Sequence, residues 1–188
     1  MFKELFYISK SLIINPAASW AKLDAERPAK NDKFLSDYVY PFIGLMAAAA
    51  FVGLFVSEEK FSLESAIKAS LLAILAATGG FFLTSYLINE LNVRMFHLEK
   101  DILSAQRFTG YSSCADFCVN IIYSIFPSFF ILPLLKIYTC YIVWEGSAPY
   151  MKIVEADRLK YTGIASGLIV FVPWVLVYLI GFLMPGLS

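Results

Sequence analysis

The chain has 188 residues, 59% of them hydrophobic and 16% charged, whereas an ordinary soluble domain is roughly 45–50% apolar and about 25% charged. Fifteen basic and fifteen acidic residues cancel, so a strong non-specific grip on nucleic acid is not expected. One histidine and three cysteines leave little material for metal or nucleophile chemistry, and too few thiols for a disulfide framework.

Residues 1–37 hold six basic and five acidic residues and read as a cytoplasmic, amphipathic N-terminal segment. A signal peptide needs an uninterrupted apolar run, and Lys10 breaks the candidate one. Phe2, Leu5, Phe6, Ser9, Leu12 and Ile13 recur at helical spacing, with Lys3 and Lys10 on another face. This predicts a helix lying in the membrane interface, anchored by Phe2, Leu5, Phe6, Leu12, Ile13 and Trp20. It serves either as a plain anchor, the simpler reading, or as a platform for a partner. Asn15-Pro16 reads as the N-cap and first turn of a second short helix through Trp20 and Leu23. A polar linker, Glu26 to Lys33, follows.

From residue 38 onward the argument rests on where charge is absent. Tyr38–Ser57, Ala69–Asn89, Phe117–Leu135 and Tyr161–Ser188 carry no charged residue over 20, 21, 19 and 28 positions. A bilayer core is about 30 Å thick and takes about 20 apolar residues to cross. Pro173 marks a kink in the last stretch. Between Phe108 and Ala148 only Asp116, Lys136 and Glu145 are charged, so this region reads as one span or as two folded at Pro127–Pro133. The positive-inside bias decides. With two spans, twelve basic residues fall on the inner side and three on the outer; with one, the split is nine to six. The expectation is an all-α integral membrane bundle of five transmembrane helices, at Tyr38–Val56, Ile67–Leu91, Ser113–Phe129, Leu132–Ser147 and Tyr161–Met184, with an N-terminal amphipathic interfacial helix. Lys136, one turn after Pro133, is expected to snorkel outward.

Motifs for common chemistry are missing. G-x-x-x-x-G-K-[ST] fails everywhere, and a serine triad or zinc helix would have only His97 to use. Glu58-Glu59 resembles the start of a membrane prenyl protease motif, but Leu63 stands where a basic residue is wanted. Cys114, Cys118 and Cys140 could meet at one depth, although small residues at helix interfaces are the ordinary explanation. No catalytic residue, cofactor or metal is expected. What remains is polar residues within the spans. Asp116, Asn120 and Tyr123 form one stripe on span three, and Tyr141 and Glu145 lie four apart on span four. With Lys136 they are the candidate functional residues. Inter-helix packing is the favoured role, with Arg107 and Lys152 as partners for Asp116; a conduction pathway is the alternative.

A short amphipathic N-terminus with Leu12-Ile13-Ile14-Asn15-Pro16 and Trp20, then Gly110-Tyr111 opening span three and Tyr123-Ser124-Ile125-Phe126-Pro127 closing it, resembles the Yip family of Ypt/Rab-interacting proteins, particularly its bacterial membrane members. The resemblance implies a five-span inner-membrane protein with a cytoplasmic N-terminus. Eukaryotic relatives act in vesicle trafficking and bind small GTPases. Their Asp-Leu-Tyr-Gly-Pro motif has no counterpart here, which leaves GTPase binding doubtful. The expected function is therefore non-enzymatic membrane organisation or partner binding, the partners being the lipid bilayer and other membrane proteins or a second copy. The alternative is a small-molecule, ion or lipid transporter or scramblase using span three.

Overall fold

The computed structural model describes residues 2–27, 33–57 and 62–183, and among them every element is helical. Helices α1 (Phe2–Ile14) and α2 (Pro16–Ala25) form a hairpin. Asn15 makes the corner, its side-chain oxygen accepting from the Ala18 amide at 3.2 Å while Pro16 occupies a position with no amide to satisfy. A π-helical turn, Leu35–Val39, leads into α3 (Tyr40–Ser57), and α4 (Leu63–Phe96) returns antiparallel to it. The chain's one histidine is spent on ending α4. His97 takes the left-handed conformation (φ 53°) and lets the Leu98 amide reach back to the Asn92 carbonyl at 3.0 Å.

The next elements are α5 (Ile102–Ser112), capped by Asp101, and α6 (Cys114–Ile125), separated from α5 only by Ser113. A 3₁₀ segment (Leu132–Ile137), α7 (Tyr138–Ser147) and α8 (Glu155–Leu183) complete the chain.

Three helices are long and apolar enough to cross a bilayer: Leu35–Val56, Leu63–Phe96 and Glu155–Leu183. They match the first, second and fifth expected spans, each beginning earlier than the charge-free stretch; the expected end at Met184 lies outside the described residues. The expected spans at Ser113–Phe129 and Leu132–Ser147 are different. α6 has 12 residues and α7 has 10, about 18 and 15 Å at 1.5 Å per residue. Neither spans alone. Proline sets these limits. A residue before proline is pushed out of the α region, and Phe126, before Pro127, has φ −126° and ψ 70°. Pro133 then begins the return as a 3₁₀ helix.

α5 and α6 form a rod broken at Ser113, its α6 half running along α3 and its α5 half packed on α4. Tyr111 meets Tyr38 (ring centroids 4.9 Å apart), and Phe117 meets Phe42 (5.1 Å). Near the far end a β-carbon added to Gly53 would overlap the carbonyl oxygen of Ser124. Only glycine permits that approach.

Two apolar clusters fill the bundle. One surrounds Phe42, Phe81 and Phe117 between α3, α4 and α6. The other sits at the α1–α2 end around Trp20, Phe108, Ile142 and Tyr161. Trp20 is fully buried, stacks near Phe108 (5.3 Å) and Tyr150 (5.1 Å), and donates its indole N–H to the Ile142 carbonyl at 2.9 Å. It occupies the space that a side chain at Gly146 would need. Leu5, Leu12 and Trp20, read from the sequence as interfacial anchors, are therefore core residues. Ile13 is half-buried against the same cluster, Phe6 is exposed, and the Phe2 side chain lies outside the described residues. The amphipathic pattern of α1 is real, but its Leu5–Leu12 side is covered by protein.

Candidate functional site

The α5–α6 rod carries a polar line along one face. Thr109, Ser113, Asp116, Asn120 and Ser124 follow one another at steps of four, three, four and four residues, and all of them border an interior cavity of about 200 Å³. From Thr109 to Ser124 the line is about 22 Å long at helical rise, most of a hydrocarbon core. The opposite walls are small residues of α4 (Ala73, Ala77, Gly80) and the Ile169–Val177 stretch of α8.

The line is polar at its centre because three side chains satisfy one another. Lys136 Nζ lies 2.9 Å from Asp116 Oδ1 and donates to Asn120 Oδ1 at 2.8 Å, while Asn120 Nδ2 donates to Asp116 Oδ2 at 2.9 Å. The Asp116 side chain is 5% exposed and that of Lys136 22%. Removing two charges from water costs several kcal/mol per ion, which only close pairing with further hydrogen bonds offsets. The triad meets both conditions, since Asn120 bridges anion and cation.

This arrangement corrects three expectations. Lys136 turns inward instead of snorkelling outward. Its partner is Asp116, whereas Lys152 pairs with Asp24 at 2.7 Å and Arg107 is hydrogen-bonded to Tyr150. Tyr123 does not share the polar face; it is exposed, and Ser124 takes its place at the cavity wall. Tyr141 is likewise exposed, with its ring against Tyr138. Glu145 stands 4.0 Å from Arg158, whose guanidinium lies over the Trp144 ring at 4.2 Å and donates to the Trp144 carbonyl. So Asp116, Asn120 and Lys136 come together, and Tyr123, Tyr141 and Glu145 do not join them. Cys114 is buried, Cys118 half-buried and Cys140 exposed, all as free thiols. Among the described residues no group of three or more metal-ligating side chains converges.

A second polar cluster, invisible to sequence periodicity, ties the α1–α2 hairpin to the far half of the chain. Arg27 bonds Asp24 at 2.8 Å, Ser104 at 3.3 Å and the Tyr150 carbonyl, and lies 4.1 Å over the Tyr150 ring. Lys152 holds Asp24 from the other side, at a backbone position with φ 60°. Partial burial pushes the Asp24 carboxyl up, but hydrogen bonds and charges from Lys152 and Arg27 outweigh this and hold it below the usual carboxylate range.

The Yip1 domain matches residues 10–184 of the chain. No curated protein and no solved structure gives a match.

Proposed function

We propose that this chain, which belongs to the Yip1 domain family, is a non-enzymatic membrane-organising protein that binds other membrane proteins or its own copies through α1. The two-sidedness of α1 carries this reading. One side is docked into the bundle through Leu5 and Leu12, yet Phe6, Tyr7 and Ile14 remain largely exposed beside Lys3 and Lys10. An exposed apolar face rimmed by cations suits a headgroup layer or a partner's helix. GTPase binding is no part of the proposal, because the family motif for it is missing. The test replaces Phe6, Tyr7 and Ile14 together by serine and measures cross-linked complexes in native membranes. The complexes should disappear while Trp20 fluorescence stays that of a buried indole; complexes that persist unchanged would sink the reading.

The same proposal takes the chain across a bacterial inner membrane five times, with α1–α2 in the cytoplasm and the C-terminus outside. The α5–α6 rod supports it by meeting the Leu35–Val56 helix at Tyr38 and again at Gly53. So does the return segment: six residues of 3₁₀ helix and ten of α-helix together reach about 27 Å at their respective rises. The twelve-to-three distribution of basic residues supplies the orientation.

A second reading, movement of a polar species along the α5–α6 rod, is favoured by one observation. Besides holding one another and Lys136, Asp116 and Asn120 border a cavity of about 200 Å³. Flux across vesicles reconstituted with the chain, compared with protein-free vesicles, tests it.

A further inference from the structure

We infer that the cavity beside Asp116, Asn120 and Lys136 is a binding site for the headgroup of a zwitterionic phospholipid carrying a primary ammonium, of the phosphatidylethanolamine type. The inference rests on the second reading only in taking this cavity as a polar site open to the bilayer, and it adds the ligand class.

Three features of the cavity lead to it. The first is charge. The wall holds one cation and one anion side by side, net neutral, with Asn120 able to donate to one and accept from the other. A phosphate facing Lys136 and an ammonium facing Asp116 would exchange one compensated pair for two charge-assisted contacts. An anionic headgroup would take Lys136 and leave Asp116 buried without a counter-charge, which is strongly disfavoured. A trimethylated ammonium has no N–H to give the carboxylate.

The second feature is size. A volume of about 200 Å³ equals roughly seven waters at their liquid share. That accommodates a headgroup but not acyl chains, which must lie outside. The third is the mouth. Trp174 and Val177 border the cavity and are themselves exposed, on the α8 stretch that the protein covers least. That surface is apolar and of membrane-spanning character, so the cavity opens toward acyl chains and not toward water. A free phosphate monoester has no reason to arrive by that route.

The full chain is reconstituted in nanodiscs of equal parts phosphatidylethanolamine, phosphatidylglycerol and phosphatidylcholine, and the lipids retained on gentle release are measured by native mass spectrometry. Phosphatidylethanolamine should be enriched over both others by about ten-fold, the worth of one charge-assisted hydrogen bond. Because Lys136→Met alone leaves a buried carboxylate and could misfold, the informative variant is Asp116→Asn with Lys136→Met, which removes both charges and keeps the shape. It should melt as the wild type does and lose the enrichment. Equal retention of the three lipids, or enrichment unchanged in the double variant, overturns the inference. Displacement of the lipid by soluble phosphoethanolamine at comparable concentration would move the site to a free phosphate monoester and also overturn it. Leaflet exchange of a labelled phosphatidylethanolamine is followed separately. Enrichment without exchange upholds the headgroup site and sinks the transport reading, whereas exchange without enrichment does the reverse.

Discussion

The bundle solves the problem of holding helices together in two ways, at two levels. Around Trp20 the joint is almost wholly apolar and tightly filled, with Phe108, Ile142 and Gly146 closing on the indole and one hydrogen bond to the Ile142 carbonyl. Around Asp116 the joint is ionic and borders empty space. The first is what a structural contact needs, since apolar packing stabilises without desolvating a charge. The second is a poor way to gain stability, because a buried pair seldom outperforms apolar residues of the same volume. That a charge pair stands beside a cavity where leucines would serve is the premise of the headgroup site proposed above.

That contrast can be broken by substitution. The largest effect is expected for Trp20→Ala, which empties a fully buried, closely packed site and deletes a buried hydrogen bond. A loss of about 3–5 kcal/mol should appear as a sharply lower melting temperature in detergent and as proteolytic release of the α1–α2 hairpin. If the hairpin stays protected, the joint is held elsewhere. Lys136→Met comes next. It strands the Asp116 carboxylate, and with Lys136 itself partly exposed the cost belongs at the lower end, about 3 kcal/mol. The decisive comparison is the double change Asp116→Asn with Lys136→Met, expected to lie within about 1 kcal/mol of wild type. Thermal unfolding of wild type, both single variants and the double variant measures the coupling directly, and a double variant that loses as much as Lys136→Met would show that the pair is adhesive after all.

The smallest effect concerns Asp24, whose partner Lys152 is mostly solvated. Asp24→Asn should cost about 0.2–1 kcal/mol. Its sign with pH follows from the lowered carboxyl. The contribution is full above the unfolded-state value of about 3.9 and fades as pH falls through the lower folded-state value. Melting curves of wild type and variant should therefore differ at pH 7 and converge as the medium is acidified below about pH 4. A gap that widens in acid would contradict the pairing.

Much of the fold was legible because lipid solvent makes missing charge informative. The three long helices follow from stretches free of Lys, Arg, Asp and Glu, and the reversal near Pro127–Pro133 follows from proline geometry. What could not be read was pairing across the chain. Trp20 looked like an anchor since its acceptor is 122 residues away, and periodicity says which face is apolar, never what covers it. Lys136 was sent outward by a local argument, and only α6 folding back beside it makes the inward rotamer favourable. Tyr123 and Ser124 both fit the helical spacing from Asn120. The choice between them depends on how α6 meets α3, and there Gly53 admits the Ser124 backbone. The helix α5 was missed because Ser104, Arg107 and Thr109 are polar yet buried, which masks its inward face.

The distance in sequence between Trp20 and Ile142 also has a consequence in time. Chains are made at roughly 5–20 residues per second, so α2 waits roughly 6–24 s for its acceptor carbonyl to be synthesised. Until α7 exists, the Trp20 indole N–H lacks its acceptor and the Gly146 side of the ring is uncovered. The face that ends as core is therefore the last part of the hairpin to be closed in.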